Sequence, residues 1–237
     1  MRVLAIDTAT EACSVALQSG DQMICRFAEG GLAHAQQVLG MVEAVLAEAQ
    51  VSLSMLDGIA ASIGPGAFTG VRISVAVAQG LAFGAGLRVV PVTTLEALAF
   101  QVMGRGAGGS PAYRVLACLD ARMGEVYWGC FGADPARGVV ASCPASVGPP
   151  ASVVLPTSCA YRGIGRGFGA YPALAALPGL ELDPKDALAL PNAREFARLG
   201  ALRLALEEGL DPADVRPLYL RDKVALTEAE RRQQRAQ

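Results

Sequence analysis

The chain has 237 residues, of which 52% are apolar, and a formal net charge of −2. It can bury a large core, and its near-neutral charge excludes a general electrostatic attraction to nucleic acid. The chain has a single histidine, which excludes any two-histidine metal site within it. Its six cysteines include no C-x-x-C pair. The N-terminus does not resemble a signal peptide and no long uninterrupted apolar run follows it, so we expect a cytoplasmic protein with free thiols and no membrane span.

The first half of the chain alternates strand-like and helix-like patterns. Five strands and three helices are predicted: strands at 2–6, 13–17, 22–27, 58–63 and 87–92, and helices at about 35–50, about 71–83 and 94–102. The second of these helices is apolar nearly all round, so either another element of the chain or a partner must cover it.

A glycine-rich turn, GPGAFTGVRIS at 64–74, joins the fourth strand to the second helix. Its glycines require a tight backbone path, and Thr69 is expected to cap the helix. The helix start makes the turn a candidate anion-binding loop, although it lacks the Lys-Ser/Thr pair of a P-loop. A plain strand-to-helix turn without a ligand is the alternative. The candidate residues are Gly64, Gly66, Thr69, Gly70 and Arg72.

A glycine-rich linker at 104–111 divides the chain into two related halves. The apolar strand at 115–120 ends at Asp120 as the first strand ends at Asp7, and a second strand follows each of them. We therefore predict an internal duplication, with an N-terminal lobe at 1–104 and a C-terminal lobe at 112–237. The final segment of the second lobe is a candidate to pack back on the first.

The rest of the second half carries three further signals. Glycines alternate from 163 to 169, which indicates that the backbone closely approaches another segment. Asn192 and Glu195 have the spacing of a capping box at the start of a helix that Gly209 would end. From Arg216 onward the tail holds six cations against three anions, which suits either a solvated helix or a contact with an acidic surface or RNA.

Two aspartates at strand ends could hold Mg²⁺ and phosphates, but the residues around them weaken that interpretation. Glycine does not directly follow Asp7 or Asp120, and Arg122 could occupy the space that a phosphate needs. We interpret both aspartates as remnants of a cleft, and the lone His34 as a polar residue at a helix start.

Several stretches together resemble the TsaB (YeaZ) family, a subunit of the bacterial machinery that makes threonylcarbamoyladenosine in tRNA. The matching stretches run in order along almost the whole chain: LAIDTATEACSVAL, HAQQVLGMVEAVLAEA, SIGPGAFTGVRISVAVAQGLAFG, VTTLEALA, LDARMGEVYWGCF and PLYLRDKVA. The resemblance implies a duplicated α/β fold of the actin/hexokinase (ASKHA) type, in which two lobes face each other across a cleft.

The resemblance also implies that catalytic residues have been lost. The catalytic relative, TsaD, carries two metal-binding histidines four positions apart where this chain has Thr94 and Leu98. Leucine has no donor atom and threonine is a poor ligand, so we expect no metal and no carbamoyl transfer by this chain. No cofactor is expected, with ATP bound at most weakly or within a complex.

A partner-binding role then remains. The family implies binding to a TsaD homologue, with a TsaE homologue joining, through the first two helices of the N-terminal lobe. Without that partner the same surface is expected to form a homodimer, and tRNA is reached only through the complex. The predicted contact residues, divided between the lobe's own core and the partner, are Leu39, Val42, Leu46, Ile73, Val77 and Leu81.

Two enzymatic alternatives remain open. The first is a degenerate phosphotransferase on the same fold, which would need glycines after the two aspartates. The second is a protease, which the chain's single histidine and its lack of a metal-ligand pair disfavour.

Overall fold

The computed structural model of the chain describes residues 1–30, 34–104, 113–156 and 159–221. The first lobe is built on a five-stranded sheet of order β3-β2-β1-β4-β5. Its strands are β1 (Arg2–Asp7), β2 (Ala12–Ser19), β3 (Gln22–Glu29), β4 (Gly58–Ser62) and β5 (Val89–Val92). The first three form an antiparallel meander, and β4 and β5 then run parallel to β1.

The second lobe repeats this topology. Its main strands are β6 (Tyr113–Arg122), β7 (Glu125–Asp134), β8 (Gly138–Ala141), β10 (Ala160–Ile164) and β11 (Leu180–Glu181), and β9 (Ser146–Gly148) pairs with β7. Strands β6, β7 and β8 form the meander, and β10 and β11 run parallel to β6. The repeated topology confirms the predicted duplication and the two-lobed ASKHA-type fold.

Helices lie on both faces of the first sheet. Helices α1 (His34–Ala49) and α2 (Phe68–Ala85) cover its outer face, where every second residue of β1, such as Leu4 and Ile6, packs beneath them. Helices α3 (Thr94–Met103) and α5 (Ala193–Ala205) lie on the inner face, between the two sheets. The other residues of β1, Val3 and Ala5, share that inner core with Val115 and Ala117 of β6. The alternation of side chains along a strand therefore gives the first lobe an outer core and an interlobe core.

The second lobe lacks a matching outer helical layer among the described residues. Its counterpart of α2 is α4 (Arg166–Ala170), which has five residues where α2 has 18. No long helix lies between β8 and β10 in the described part of that segment, where α1 would have its counterpart. Among the described residues, only the first lobe thus presents two long helices on its outside.

The predicted helix caps need three corrections. Helix α2 begins earlier than expected, at Phe68, so Thr69 lies inside the helix and the N-cap is Ala67, without a side-chain cap. Asn192 does cap α5, but its side chain accepts a hydrogen bond from the N–H of Arg194, and Glu195 completes no capping box. Helix α5 ends at Ala205, before Gly209, because the chain turns at Glu207 with φ near 59°.

We expected no membrane-spanning segment from the sequence, but helix α2 has the length and the apolar composition that could cross a membrane. In the fold its buried residues, among them Val75, Ala78 and Ala82, pack on the first sheet. On a flank, Gln79 Nε2 donates to the carbonyl oxygens of Pro212 and Val215 at 2.7 and 3.2 Å. The C-terminal segment therefore covers one side of this helix. Residues 222–237, which hold most of the basic tail, lie outside the described residues.

Candidate functional site

A cleft of about 720 Å³ lies between the lobes. Most of its lining comes from four parts of the chain: the turn after β1, the start of α2, the end of β6 with the turn that follows, and the C-terminal residues 218–221. His34, the first residue of α1, also lines it, and its Nε2 atom has no hydrogen-bond partner in the part of the chain that the structure describes.

The glycine-rich turn before α2 packs directly on the turn after β1. The Ala67 N–H donates to the Ala9 carbonyl at 2.7 Å, and the Thr8 hydroxyl donates to the Gly70 carbonyl at 2.6 Å. A Cβ on Gly66 would lie 2.1 Å from the Ala9 oxygen, and one on Gly70 would lie 2.0 Å from the Thr8 oxygen. These two glycines are therefore explained by backbone-to-backbone packing, whether or not a ligand binds nearby.

Asp7 lies beneath this contact. Its side chain is fully buried and does not line the cleft, which corrects its predicted place there. Its Oδ1 accepts from the Ala9 N–H at 3.0 Å, while Oδ2 has no hydrogen-bond partner among the described residues. Burial raises the pKa of Asp7 to about 6, and the hydrogen bond from Ala9 opposes that rise.

Asp120, its counterpart in the second lobe, does line the cleft but is held by Arg122. Arg122 Nη1 lies 3.0 Å from Asp120 Oδ2, and Nη2 lies 2.9 Å from Oε1 of Glu11 in the first lobe. The guanidinium thus bridges the lobes beside the aspartate, in the position that the sequence suggested would compete with a phosphate.

The other arginines that line the cleft also have partners. Arg166 of the second lobe pairs with Glu29 of the first. Arg221 of the C-terminal segment pairs with Glu125 of the second lobe. Arg72 donates from Nε to the Tyr219 hydroxyl at 2.8 Å and lies 3.5 Å above the Phe68 ring centroid. An anionic ligand in the cleft would have to compete with these contacts.

The C-terminal segment connects the lobes across one side of the cleft. Its Leu218 N–H donates to the Ile63 carbonyl at 2.8 Å in the first lobe. Three residues later, Arg221 donates to the Ala121 carbonyl at 3.0 Å in the second.

Thr94 and Leu98 are both fully buried on α3. Leu98 belongs to the interlobe core, and the Thr94 hydroxyl lies 3.3 Å from that of Ser62. Within the described ranges, no group of three or more His, Cys, Asp or Glu side chains is placed to hold a metal ion.

The second candidate site is the outer face of α1 and α2, and the structure divides its six predicted contact residues. Val42 is 3% exposed and packs in the outer core, so it belongs to the core side of that division. Leu39 is 48% exposed and points outward. The other four are half-buried and pack partly against the same core: Leu46, Ile73, Val77 and Leu81.

The largest exposed apolar residue of this face was not among the six. Phe83 of α2 is 84% exposed and follows the exposed positions Ala76 and Gly80 along one helical stripe. Because α2 is apolar on several sides, helical periodicity could not identify which of its stripes faces outward. We define the outer helical face by Leu39, Ala76, Gly80 and Phe83.

Two curated proteins, one solved structure and one family model are similar to this chain. The chain is 39% identical to the tRNA threonylcarbamoyladenosine biosynthesis protein TsaB of Escherichia coli, over 95% of this chain and 96% of that one. It is 31% identical to the protein of the same name from Haemophilus influenzae, over 94% and 95% of the two chains. The crystal structure of YeaZ from Pseudomonas aeruginosa superposes with a TM-score of 0.82 at 38% identity, covering 92% of this chain and 99% of that one. Residues 29–134 also match the family model of TsaD, described as tRNA N6-adenosine threonylcarbamoyltransferase.

Proposed function

Because this chain belongs to the TsaB family, we propose that it is a non-catalytic subunit of the complex that makes threonylcarbamoyladenosine in tRNA, and that it binds a TsaD homologue through its outer helical face. A TsaE homologue joins the complex, and tRNA contacts it through the partners. The complex acts in the cytoplasm.

The outer helical face is the observation that carries this proposal. Phe83 on α2 and Leu39 on α1 expose large apolar side chains there, and the small exposed residues Ala76 and Gly80 of α2 leave room for a partner helix to approach closely. Such a surface is costly to leave in water, which favours a protein partner. The second lobe has no comparable pair of long outer helices among the described residues.

The interior of the protein favours a supporting role over a catalytic one. The positions that correspond to the metal-binding histidines of TsaD hold Thr94 and Leu98, which are packed in the core. Asp7 is fully buried, and Asp120 forms an ion pair with Arg122. No cofactor is part of the proposed role, and ATP binds the isolated chain weakly at most.

A binding experiment tests the interface. The wild-type chain and its Phe83→Glu and Leu39→Glu variants are mixed with the TsaD homologue of the same organism, and the complexes are measured by size-exclusion chromatography with light scattering. We expect each variant to weaken the complex by about 30-fold or more, because a charge would be buried in an apolar contact. The matched control is Val154→Glu, at a residue of the second lobe that is 76% exposed, and it should bind like wild type.

Two outcomes contradict the proposal. Full binding by both helix variants would exclude the outer helical face as the interface. Formation of threonylcarbamoyladenosine by the purified chain without TsaD would exclude a non-catalytic role. Light scattering of the chain alone also tests the accompanying proposal of a homodimer, which the same two variants should convert to a monomer.

A further inference from the structure

Four of the six cysteines lie in or against one apolar cluster of the second lobe. Cys118 and Cys130 are buried in it, and Cys143 and Cys159 are half-buried at its edge. None of them belongs to the cleft or to the outer helical face. All six cysteines are free thiols in the structure.

A hydrogen bond joins two of these residues, Cys130 and Cys143. The Ser142 N–H donates to the Cys130 carbonyl at 2.7 Å, which brings the end of the β8 strand region alongside β7. The next residue, Cys143, accepts the Cys130 N–H on its Sγ atom at 3.1 Å. Phe131 pairs with Ala141 in the β7–β8 register, so Ser142 lies opposite Cys130 and Cys143 lies one residue further on. The Cys143 sulfur turns back onto the Cys130 backbone, within the cluster that also holds the Cys130 side chain.

The two thiols differ in access. Cys130 is 1% exposed, whereas Cys143 is half-buried in the segment after β8. Burial, followed by the contact with Cys143, raises the pKa of Cys130 to about 12. A small oxidant would therefore meet Cys143 first, and Cys130 would lie behind it as the second thiol.

We propose that Cys143 and Cys130 form a reversible two-thiol oxidation site, with Cys143 as the peroxide-reactive thiol and Cys130 as the resolving thiol. The Cys143 thiolate attacks one oxygen of hydrogen peroxide, the O–O bond breaks, and the leaving hydroxide takes up a proton to become water. The Cys130 sulfur then attacks the resulting Cys143 sulfenic acid, the S–O bond breaks, and the second water carries away the Cys130 proton. Two thiols and one peroxide thus give one disulfide and two waters.

Cys159 is the competing partner that this assignment excludes. It lies at the edge of the same cluster, whereas the hydrogen bond from the Cys130 N–H reaches the sulfur of Cys143. The cross-link is therefore assigned to residues 13 apart in the chain, on β7 and just after β8.

Peroxide treatment of the purified full-length chain tests the site. After graded exposure to hydrogen peroxide, non-reducing peptide mapping by mass spectrometry should find the Cys130–Cys143 cross-link, with a loss of two titratable thiols that dithiothreitol restores. The oxidised protein should unfold on the order of 5 °C higher, because the link closes a short loop. Cys143→Ser should abolish the cross-link, and the matched control Cys25→Ser, at a half-buried thiol of the first lobe, should leave it unchanged.

Three results would overturn the site: a disulfide that joins Cys159 to either thiol, single-cysteine sulfinic acid as the main product, or retention of all thiols after exposure. Cys130 is a core residue, so its substitution is not needed for the test. Peptide maps of the wild-type chain and of the Cys143→Ser variant distinguish the proposed cross-link from these alternatives.

Discussion

Gly66 packs so closely on Ala9 that a Cβ added to it would lie only 2.1 Å from the Ala9 carbonyl oxygen. This contact seats the glycine-rich turn on the end of β1 and covers Asp7. Gly66→Ala is expected to destabilise the fold by at least about 2–3 kcal/mol, because two backbone segments must separate to admit one methyl group. Urea denaturation followed by circular dichroism measures the change.

Gly80 supplies the control for that prediction. A Cβ at Gly80 meets nothing within 4 Å, and the residue lies in the middle of α2. Gly80→Ala should therefore stabilise the chain by about 0.5–1 kcal/mol through helix propensity. Equal effects of the two substitutions would show that the packing at Gly66 is not as tight as described.

The buried carboxyl of Asp7 should make stability depend on pH. Its pKa is about 6 in the folded chain against 3.8 for the free side chain, so the folded state binds the extra proton between these values. The contribution of Asp7 to stability is then most favourable at low pH and is lost as pH rises through about 6.

Asp7→Asn removes this penalty and keeps an acceptor for the Ala9 N–H. We expect the variant to be about 1–3 kcal/mol more stable than wild type at pH 7.5, with the advantage shrinking toward pH 4. Urea denaturation of both proteins across that range measures the difference. A difference that stays constant with pH would contradict the raised pKa.

Arg203 of α5 and Glu96 of α3 form a buried ion pair, with Nη2 and Oε1 2.6 Å apart. Their side chains are 7% and 18% exposed. Arg203→Ala should cost about 3–5 kcal/mol, because it leaves a carboxylate without its counter-charge between the sheets. The control is the more exposed pair Arg137 and Glu208, 3.0 Å apart, where Arg137→Ala should cost less than about 1 kcal/mol. Similar losses of stability at the two sites would contradict a larger contribution of the buried Arg203–Glu96 pair.

Arg122 should matter little for stability, because its side chain is 71% exposed. Arg122→Ala is expected to change the free energy of unfolding by less than about 1 kcal/mol. It should also fail to create tight binding of ATP with Mg²⁺, since Asp7 stays buried beneath the Gly66 contact. Isothermal titration calorimetry of wild type and variant checks this, and micromolar binding by either protein would support the phosphotransferase alternative instead.

Much of the fold could be predicted from local patterns. Alternation and helical periodicity identified the strands and helices because each pattern reflects which side chains are buried within one element. The echo of the strand ending at Asp7 in the strand ending at Asp120 predicted a duplication that the two sheet topologies repeat. The glycines from 163 to 169 predicted a close backbone approach, and Gly165 indeed faces the Cys118 carbonyl, where a Cβ would lie 2.1 Å away.

Residue type and local spacing were enough to predict the order of the elements, the duplication and the absence of a two-histidine site. The folded chain was needed to see that Asp7 is buried while Asp120 faces the cleft, and that Phe83 faces outward while Val42 faces the core. These outcomes depend on which distant segments meet: the turn before α2 on the end of β1, and α1 on β2. A one-dimensional pattern shows that a residue is apolar or charged, but the neighbour that covers it is chosen by the packing of the whole chain.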